Sequence, residues 1–183
     1  MATSRSDADI GIWLTGLPGS GKSTLADALA SVLRQYGRKV EILDGDAMRV
    51  QLSSGLGFSR DDRDTNVMRI AYVAHLLVRN GVVAVVAAVS PFRHTRERAR
   101  ALIGNVVEVY MATPLTECIR RDVKGLYAKA LAGRIPNFTG INDPYEEPLE
   151  PDLRLDASVL SLNEEVESVV LKLDELGYLK IRP

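Results

Sequence analysis

One stretch of eight residues limits what this chain can fold into more than any other. Gly16-Leu17-Pro18-Gly19-Ser20-Gly21-Lys22-Ser23 fits G-x-x-x-x-G-K-[ST], and Thr24 follows it. The short apolar run Ile10–Thr15 precedes the loop. Lys22–Tyr36 follows with Leu25, Ala28, Leu29, Val32 and Leu33 at helical spacing. Strand, glycine-rich loop and helix in that order form a phosphate cradle. Glycines let backbone N–H groups converge on phosphate oxygens, and the helix N-terminus adds about half a positive charge. Lys22 is placed to reach the β- and γ-phosphates, and Ser23 to ligate Mg²⁺. The motif predicts binding of a nucleoside triphosphate and leaves the phosphoryl acceptor open.

The rest of the chain continues the alternation. Strands are predicted at Val40–Leu43, Val82–Val89, Val106–Met111 and Leu153–Leu155. Helices are predicted at Asp64–Arg79, Arg93–Ile103, from Pro114 to Asp122, and at Asn163–Leu176. Alternating β and α elements imply a parallel sheet with helices on both faces. Residues 10–183 then form a single α/β domain, behind a flexible tail at 1–9. Lys124–Pro151 breaks the pattern with three glycines, four prolines, two tyrosines and a phenylalanine. Long irregular segments in compact domains are usually functional, so residues 124–151 are expected to form a lid.

Composition narrows the partners. Lys plus Arg number 23 against 24 for Asp plus Glu, a net charge of −1. No global basic surface exists to hold a nucleic-acid backbone or an anionic membrane, and neither is an expected partner. The longest apolar run, Val82–Val89, is far short of the roughly twenty residues of a membrane helix. Cys118 is the single cysteine, which excludes an internal disulfide and suits a reducing compartment. Met1–Asp9 lacks the apolar core of a signal peptide, so a cytoplasmic location is expected.

Several residues bear on the acceptor. Asp44-Gly45-Asp46 ends a strand on the ligand-binding edge of such a sheet. Asp44 could take a proton from an attacking hydroxyl or hold Mg²⁺-bound water; Asp46 could do either, or cap a helix starting near Met48. Arg49, Arg63 and Arg69 follow, with Asn66 between the last two. Arg63, Asn66 and Arg69 or Ile70 would share one helix face, and guanidinium forks suit sulfate and phosphate oxygens. Phe58 and Phe138, two of only three phenylalanines, lie in glycine-containing loops and could sandwich a purine ring.

These motifs, in this order, resemble the adenylylsulfate kinase family from Ile12 to about Leu155. The resemblance rests on the loop Gly16–Thr24 and on Leu43-Asp44-Gly45-Asp46 with Arg49. It continues through Leu56-Gly57-Phe58-Ser59, Asp62-Arg63 and Asn66, then Ser90-Pro91-Phe92-Arg93 and Arg121-Asp122-Val123-Lys124-Gly125-Leu126-Tyr127. It closes with Phe138-Thr139-Gly140-Ile141 and Asp143-Pro144-Tyr145-Glu146. The resemblance implies a P-loop NTPase fold, three layers α/β/α with a mostly parallel sheet. It implies transfer of the ATP γ-phosphoryl to the 3′-hydroxyl of adenosine 5′-phosphosulfate (APS), giving ADP and 3′-phosphoadenosine 5′-phosphosulfate (PAPS), with Mg²⁺.

By the same resemblance Arg49, Arg63 and Asn66 hold APS, Phe58 and Phe138 stack on its adenine, and Asp44 sits at the 3′-hydroxyl and Mg²⁺ as base. Lys124 belongs to the lid over both nucleotides, and Arg121 lies near ATP. Some family members are described with a phosphoserine at the position of Ser90, which could instead contact APS. The resemblance is compatible with a homodimer and with a separate ATP sulfurylase as functional partner. The chain departs from the family at Ala47, Thr65, Met68, Val123 and Pro136. Two other readings compete: another small-molecule kinase, which an acceptor panel would reveal, and a nucleotide-binding regulator that has lost its chemistry.

Overall fold

The computed structural model describes residues 10–181; the tail expected at 1–9 lies outside them. Five strands form one sheet: β1 (Gly11–Gly16), β2 (Val40–Asp44), β3 (Val83–Ala87), β4 (Val106–Met111) and β5 (Leu153–Leu155). Their order is β2-β3-β1-β4-β5, and every pairing is parallel. The helices are α1 (Lys22–Gln35), α2 (Gly45–Leu52), α3 (Arg60–Val78), α4 (Arg93–Ile103), α5 (Leu115–Arg121), α6 (Leu126–Leu131) and α7 (Leu162–Glu175). The fold is the three-layered α/β P-loop architecture.

Side-chain alternation along β1 builds the layers, because successive residues of a strand face opposite ways. Ile12 and Leu14 enter the core with Leu25, Leu29 and Leu33 of α1 and Val169 and Leu173 of α7. Trp13 enters the opposite core with Val67, Ile70 and Ala74 of α3 and Ala99 and Ile103 of α4. All six residues of β1 and all five of β3 are buried, as central parallel strands require.

The boundaries correct the sequence reading in four places. β3 stops at Ala87 rather than Val89, so Ala88, Val89 and Ser90 leave the sheet and form part of the cleft wall. α2 begins at Gly45, earlier than the helix expected near Met48. α3 begins at Arg60 rather than Asp64, because the Ser59 hydroxyl caps it by accepting from the Asp62 N–H. The irregular segment 124–151 contains the helical turn and a half of α6.

Candidate active site

The carboxyl ends of β1, β2 and β3 open into a cleft of about 260 Å³ that carries the phosphate loop on one wall. Gly16, Gly19 and Gly21 have φ of 149°, 76° and 102°, values that L side chains rarely adopt. At Gly16 a Cβ would also lie 2.6 Å from the Met111 carbonyl oxygen. Pro18, Gly19, Lys22 and Ser23 line the cleft. Ser20 is buried, with its carbonyl accepting from Thr113 Oγ1 at 3.0 Å. Its N–H donates to the Leu17 carbonyl, which closes the turn. Thr24 lies in the first turn of α1.

Lys22 folds back over this loop and donates to the carbonyls of Gly16 (2.9 Å) and Leu17 (2.7 Å). Burial pushes its ammonium down to about 8, against the pull of Cys118, Asp46 and Asp44. Cys118 is itself buried, with its thiol directed at the Thr113 carbonyl. Ser23 Oγ donates to Asp44 Oδ2 at 2.7 Å.

The two carboxylates of Asp44-Gly45-Asp46 are in different situations, and the helix cap is not where the sequence suggested. Asp44, not Asp46, caps α2: its Oδ1 accepts from the N–H groups of Asp46 (3.0 Å) and Ala47 (3.2 Å). Burial raises the Asp44 carboxyl, but the bonds from Ser23, Ala47 and Asp46 outweigh it and the net shift is down. Asp46 stands in the cleft with its side chain 75% exposed, paired with Lys124 from the lid segment. That contact holds the Lys124 ammonium above its ordinary range.

The opposite wall carries the basic and aromatic residues. Arg63 and Asn66 share the inner face of α3, followed there by Ile70. Arg69 points elsewhere: it donates to the Leu52 carbonyl, in a groove with Tyr72 and Met68 on the outer side of α3. A 3.6-residue helix turns Arg69 out of the line that Arg63 and Asn66 begin. Arg63 donates to the Phe58 carbonyl (3.0 Å), the Thr139 hydroxyl and the Asn137 carbonyl, and pairs with Asp143. One guanidinium therefore ties the Phe58 loop to the Phe138 loop. Arg49 donates to the Gly57 carbonyl at 2.8 Å and lies 4.6 Å from the centre of the Phe58 ring. Phe58 is 58% exposed, and both phenylalanines line the cleft. Asn66 is 7% exposed, and its Oδ1 has no hydrogen-bond partner.

The remaining expected residues are also placed. Ser90 is buried on the cleft wall; its hydroxyl accepts from Trp13 Nε1 (3.0 Å) and donates to Thr15 Oγ1 (2.9 Å). Arg121 lies at the end of α5, bonded to Glu117 and to the Ala157 carbonyl (2.7 Å). Of the departures, Val123 lines the cleft and is exposed, whereas Thr65 and Met68 lie in the outer groove of α3. Sequence reasoning quoted Tyr127 in a motif but gave it no role; its hydroxyl donates to the Pro18 carbonyl (2.8 Å) and its ring meets Phe138 edge-on. It also missed Thr139 and Asp143 as partners of Arg63. Their signal was present as an aromatic, a hydroxyl and an acid inside an otherwise irregular segment.

For Mg²⁺ the donor set is small. Ser23 and Asp44 are already in contact, and the described residues hold no group of three or more His, Cys, Asp or Glu suited to a metal. That fits magnesium, which takes one or two protein ligands and completes its shell with phosphate and water. Among the described residues no helix is long and apolar enough to cross a membrane.

Comparison with known proteins bears on the same cleft. A family model described as adenylylsulphate kinase matches residues 8–156. The adenylyl-sulfate kinase of Rippkaea orientalis is 54% identical over 168 residues, 92% of this chain and 93% of that protein. A probable bifunctional SAT/APS kinase 2 of Sorangium cellulosum is 50% identical over 93% of this chain and 29% of its own length. A solved structure of the Mycobacterium tuberculosis APS kinase CysC in complex with AMPPNP and APS superposes with a TM-score of 0.88. It shares 43% identity and covers 91% of this chain and 98% of its own.

Proposed function

The chain belongs to the adenylylsulphate kinase family, and from that premise we propose that its cleft moves the γ-phosphoryl group of ATP to the 3′-hydroxyl of APS, releasing ADP and PAPS. One observation carries the assignment of residues. A single cleft joins a phosphate loop on one wall to an arginine, asparagine and aromatic set on the other, so donor and acceptor can meet in line.

The phosphate loop and Lys22 bind the ATP phosphates, Lys22 exchanging its carbonyl partners for β- and γ-oxygens. Arg121 and the Ala157 segment border the ATP side. Ser23 and Asp44 would hold Mg²⁺; bound there, it would neutralise charge between the β- and γ-phosphates. With its carboxylate committed to capping α2 and to Ser23, Asp44 makes a poor proton acceptor. Asp46 is free of those bonds and stands in the cleft, so it receives the 3′-hydroxyl proton. Lys124 leaves Asp46 for the transferring phosphoryl group as that proton arrives.

Arg49, Arg63 and Asn66 hold APS, and Phe58 and Phe138 stack on its adenine. The lid segment, tied to the phosphate loop by Tyr127, excludes water and so limits ATP hydrolysis. Positioning and charge neutralisation suffice for direct transfer, so the Ser90 hydroxyl need not carry the phosphoryl group. A cytoplasmic location is in keeping with a reaction that draws on ATP, and a separate ATP sulfurylase would supply APS.

The test is ADP release from Mg·ATP with and without APS, with PAPS followed by chromatography. APS-dependent ADP and PAPS in equal amounts support the reading. ADP release that ignores APS but responds to another acceptor overturns it.

A further inference from the structure

Among the described residues only three non-glycines hold φ in the left-handed region: Ser90 (41°), Asp122 (26°) and Asn137 (55°). Such conformations persist only where the surroundings impose them. Asp122 caps α6, accepting from the N–H groups of Tyr127 and Ala128 at 2.9 Å. Asn137 offers its carbonyl to Arg63. Ser90 is held from behind the cleft by a residue that the reaction itself does not use.

That residue is Arg96 of α4, 5% exposed. Its Nη1 donates to the Ser90 carbonyl at 2.7 Å and its Nη2 to the Glu146 carbonyl at 2.6 Å. Its Nε donates to Glu108 Oε1 at 3.0 Å. The guanidinium lies 5.6 Å from the centre of the Tyr145 ring, and the Tyr145 hydroxyl is 2.8 Å from Thr15 Oγ1. Thr15 Oγ1 donates to the Val89 carbonyl (2.8 Å) and receives the Ser90 hydroxyl. Since Thr15 has one proton and gives it to Val89, Tyr145 donates to Thr15. Every hydroxyl in this chain of bonds is satisfied, and the chain ends at the indole N–H of Trp13.

We propose that Arg96 is a positioning residue for the acceptor half of the cleft: it grips the carbonyls of Ser90 and Glu146 and thereby fixes the Val89–Ser90–Pro91 turn against which APS is held. The inference rests on the proposed reaction and extends it to a side chain that touches neither nucleotide. A planar fork is needed because the two carbonyls and the Glu108 carboxylate call on three separate nitrogens of one rigid group. A lysine ammonium keeps the charge beside Glu108 but cannot reproduce that geometry.

The test compares the unsubstituted protein with Arg96→Lys, which spares the half-buried Glu108 from losing its cation, and with Tyr145→Phe, which removes only the bond to Thr15. Initial rates are measured with APS and ATP varied separately, at a temperature where thermal melting shows each variant folded. Loss of bonds to buried carbonyls is expected to raise KM for APS about tenfold in Arg96→Lys, and less in Tyr145→Phe. KM for ATP should stay within about twofold. Trp13 is the only tryptophan in the chain, so its emission reports the same turn and should shift in Arg96→Lys. Equal increases in both KM values, or an unchanged KM for APS, would overturn the inference while the reaction of the unsubstituted protein stands. Absence of APS-dependent turnover in the unsubstituted protein would overturn the functional reading and the inference with it.

Discussion

Asp46→Asn separates the two carboxylates of the strand end. The substitution keeps the shape of the side chain and removes its capacity to take a proton. Its only structural bond is the ion pair with Lys124, in which the two side chains are 75% and 62% exposed. Exposed pairs of that kind contribute about 0–1 kcal/mol, so the melting temperature should move by a few degrees at most. Turnover should behave quite differently. A positioned general base contributes about 10²- to 10⁴-fold, equivalent to about 2.7–5.4 kcal/mol of barrier. ADP release with saturating APS should therefore fall by at least about a hundredfold, while KM for ATP changes little. Asp44→Asn provides the contrast. Asparagine still caps α2 through its oxygen, but its amide opposes Ser23, so the ATP and Mg²⁺ dependence should suffer together with turnover. An Asp46→Asn protein that turns over within about twofold of the unsubstituted one would refute the division of labour, because no proton acceptor of value would have been lost.

Three further outcomes follow from the geometry. Phe58→Ala removes an exposed ring, so stability should hold while KM for APS rises by the roughly 1–3 kcal/mol of a lost stacking partner, with KM for ATP unmoved; Phe138→Ala, which also loses the edge contact with Tyr127, should add a fall in melting temperature. Asn66→Leu replaces a buried amide whose Oδ1 is unpaired, so denaturant unfolding should show stability kept or raised, by up to about 1–3 kcal/mol, while APS affinity drops. Gly16→Ala forces a Cβ to 2.6 Å from backbone at φ 149°; it should cost more than about 1 kcal/mol of stability and abolish ATP binding, as read by calorimetry.

The phosphate loop was legible in the sequence because its requirements are local: three glycines, one lysine and one serine, flanked by a strand and a helix. The sheet was legible because β1 and β3 are buried on both faces and read as unbroken apolar runs. What escaped reading lacked such a local mark. A helix was expected near Met48, but α2 has no buried residue, so no periodicity marks its start at Gly45. The early start of α3 depends on a hydroxyl cap at Ser59, a single contact. Whether Arg69 faces the cleft or the outside depends on 3.6-residue geometry that i, i+3 spacing leaves ambiguous, and the structure gives the inner position to Ile70. Arg96 carries no local mark at all. It lies in the run Arg93-His94-Thr95-Arg96-Glu97-Arg98, which reads as a solvated charged face, and only the tertiary fold shows that one of these arginines is buried against two carbonyls and an acid.

The strand order has a consequence for how the chain is made. Of the described strands β1 is synthesised first, and it lies in the middle of the sheet, between β3 and β4. Its pairing with β4 begins with Gly11 and Val106. At about 5–20 residues per second, this apolar strand leaves the ribosome several seconds or more before both neighbours exist. During that interval the phosphate loop has no wall behind it, since Met111 and Thr113, which brace it, are also still to come. Nucleotide therefore cannot act as an early template for folding. It can stabilise the domain only once β4 is in place, and until then the nascent chain depends on delayed collapse or on chaperones to keep its first strand from pairing with another copy.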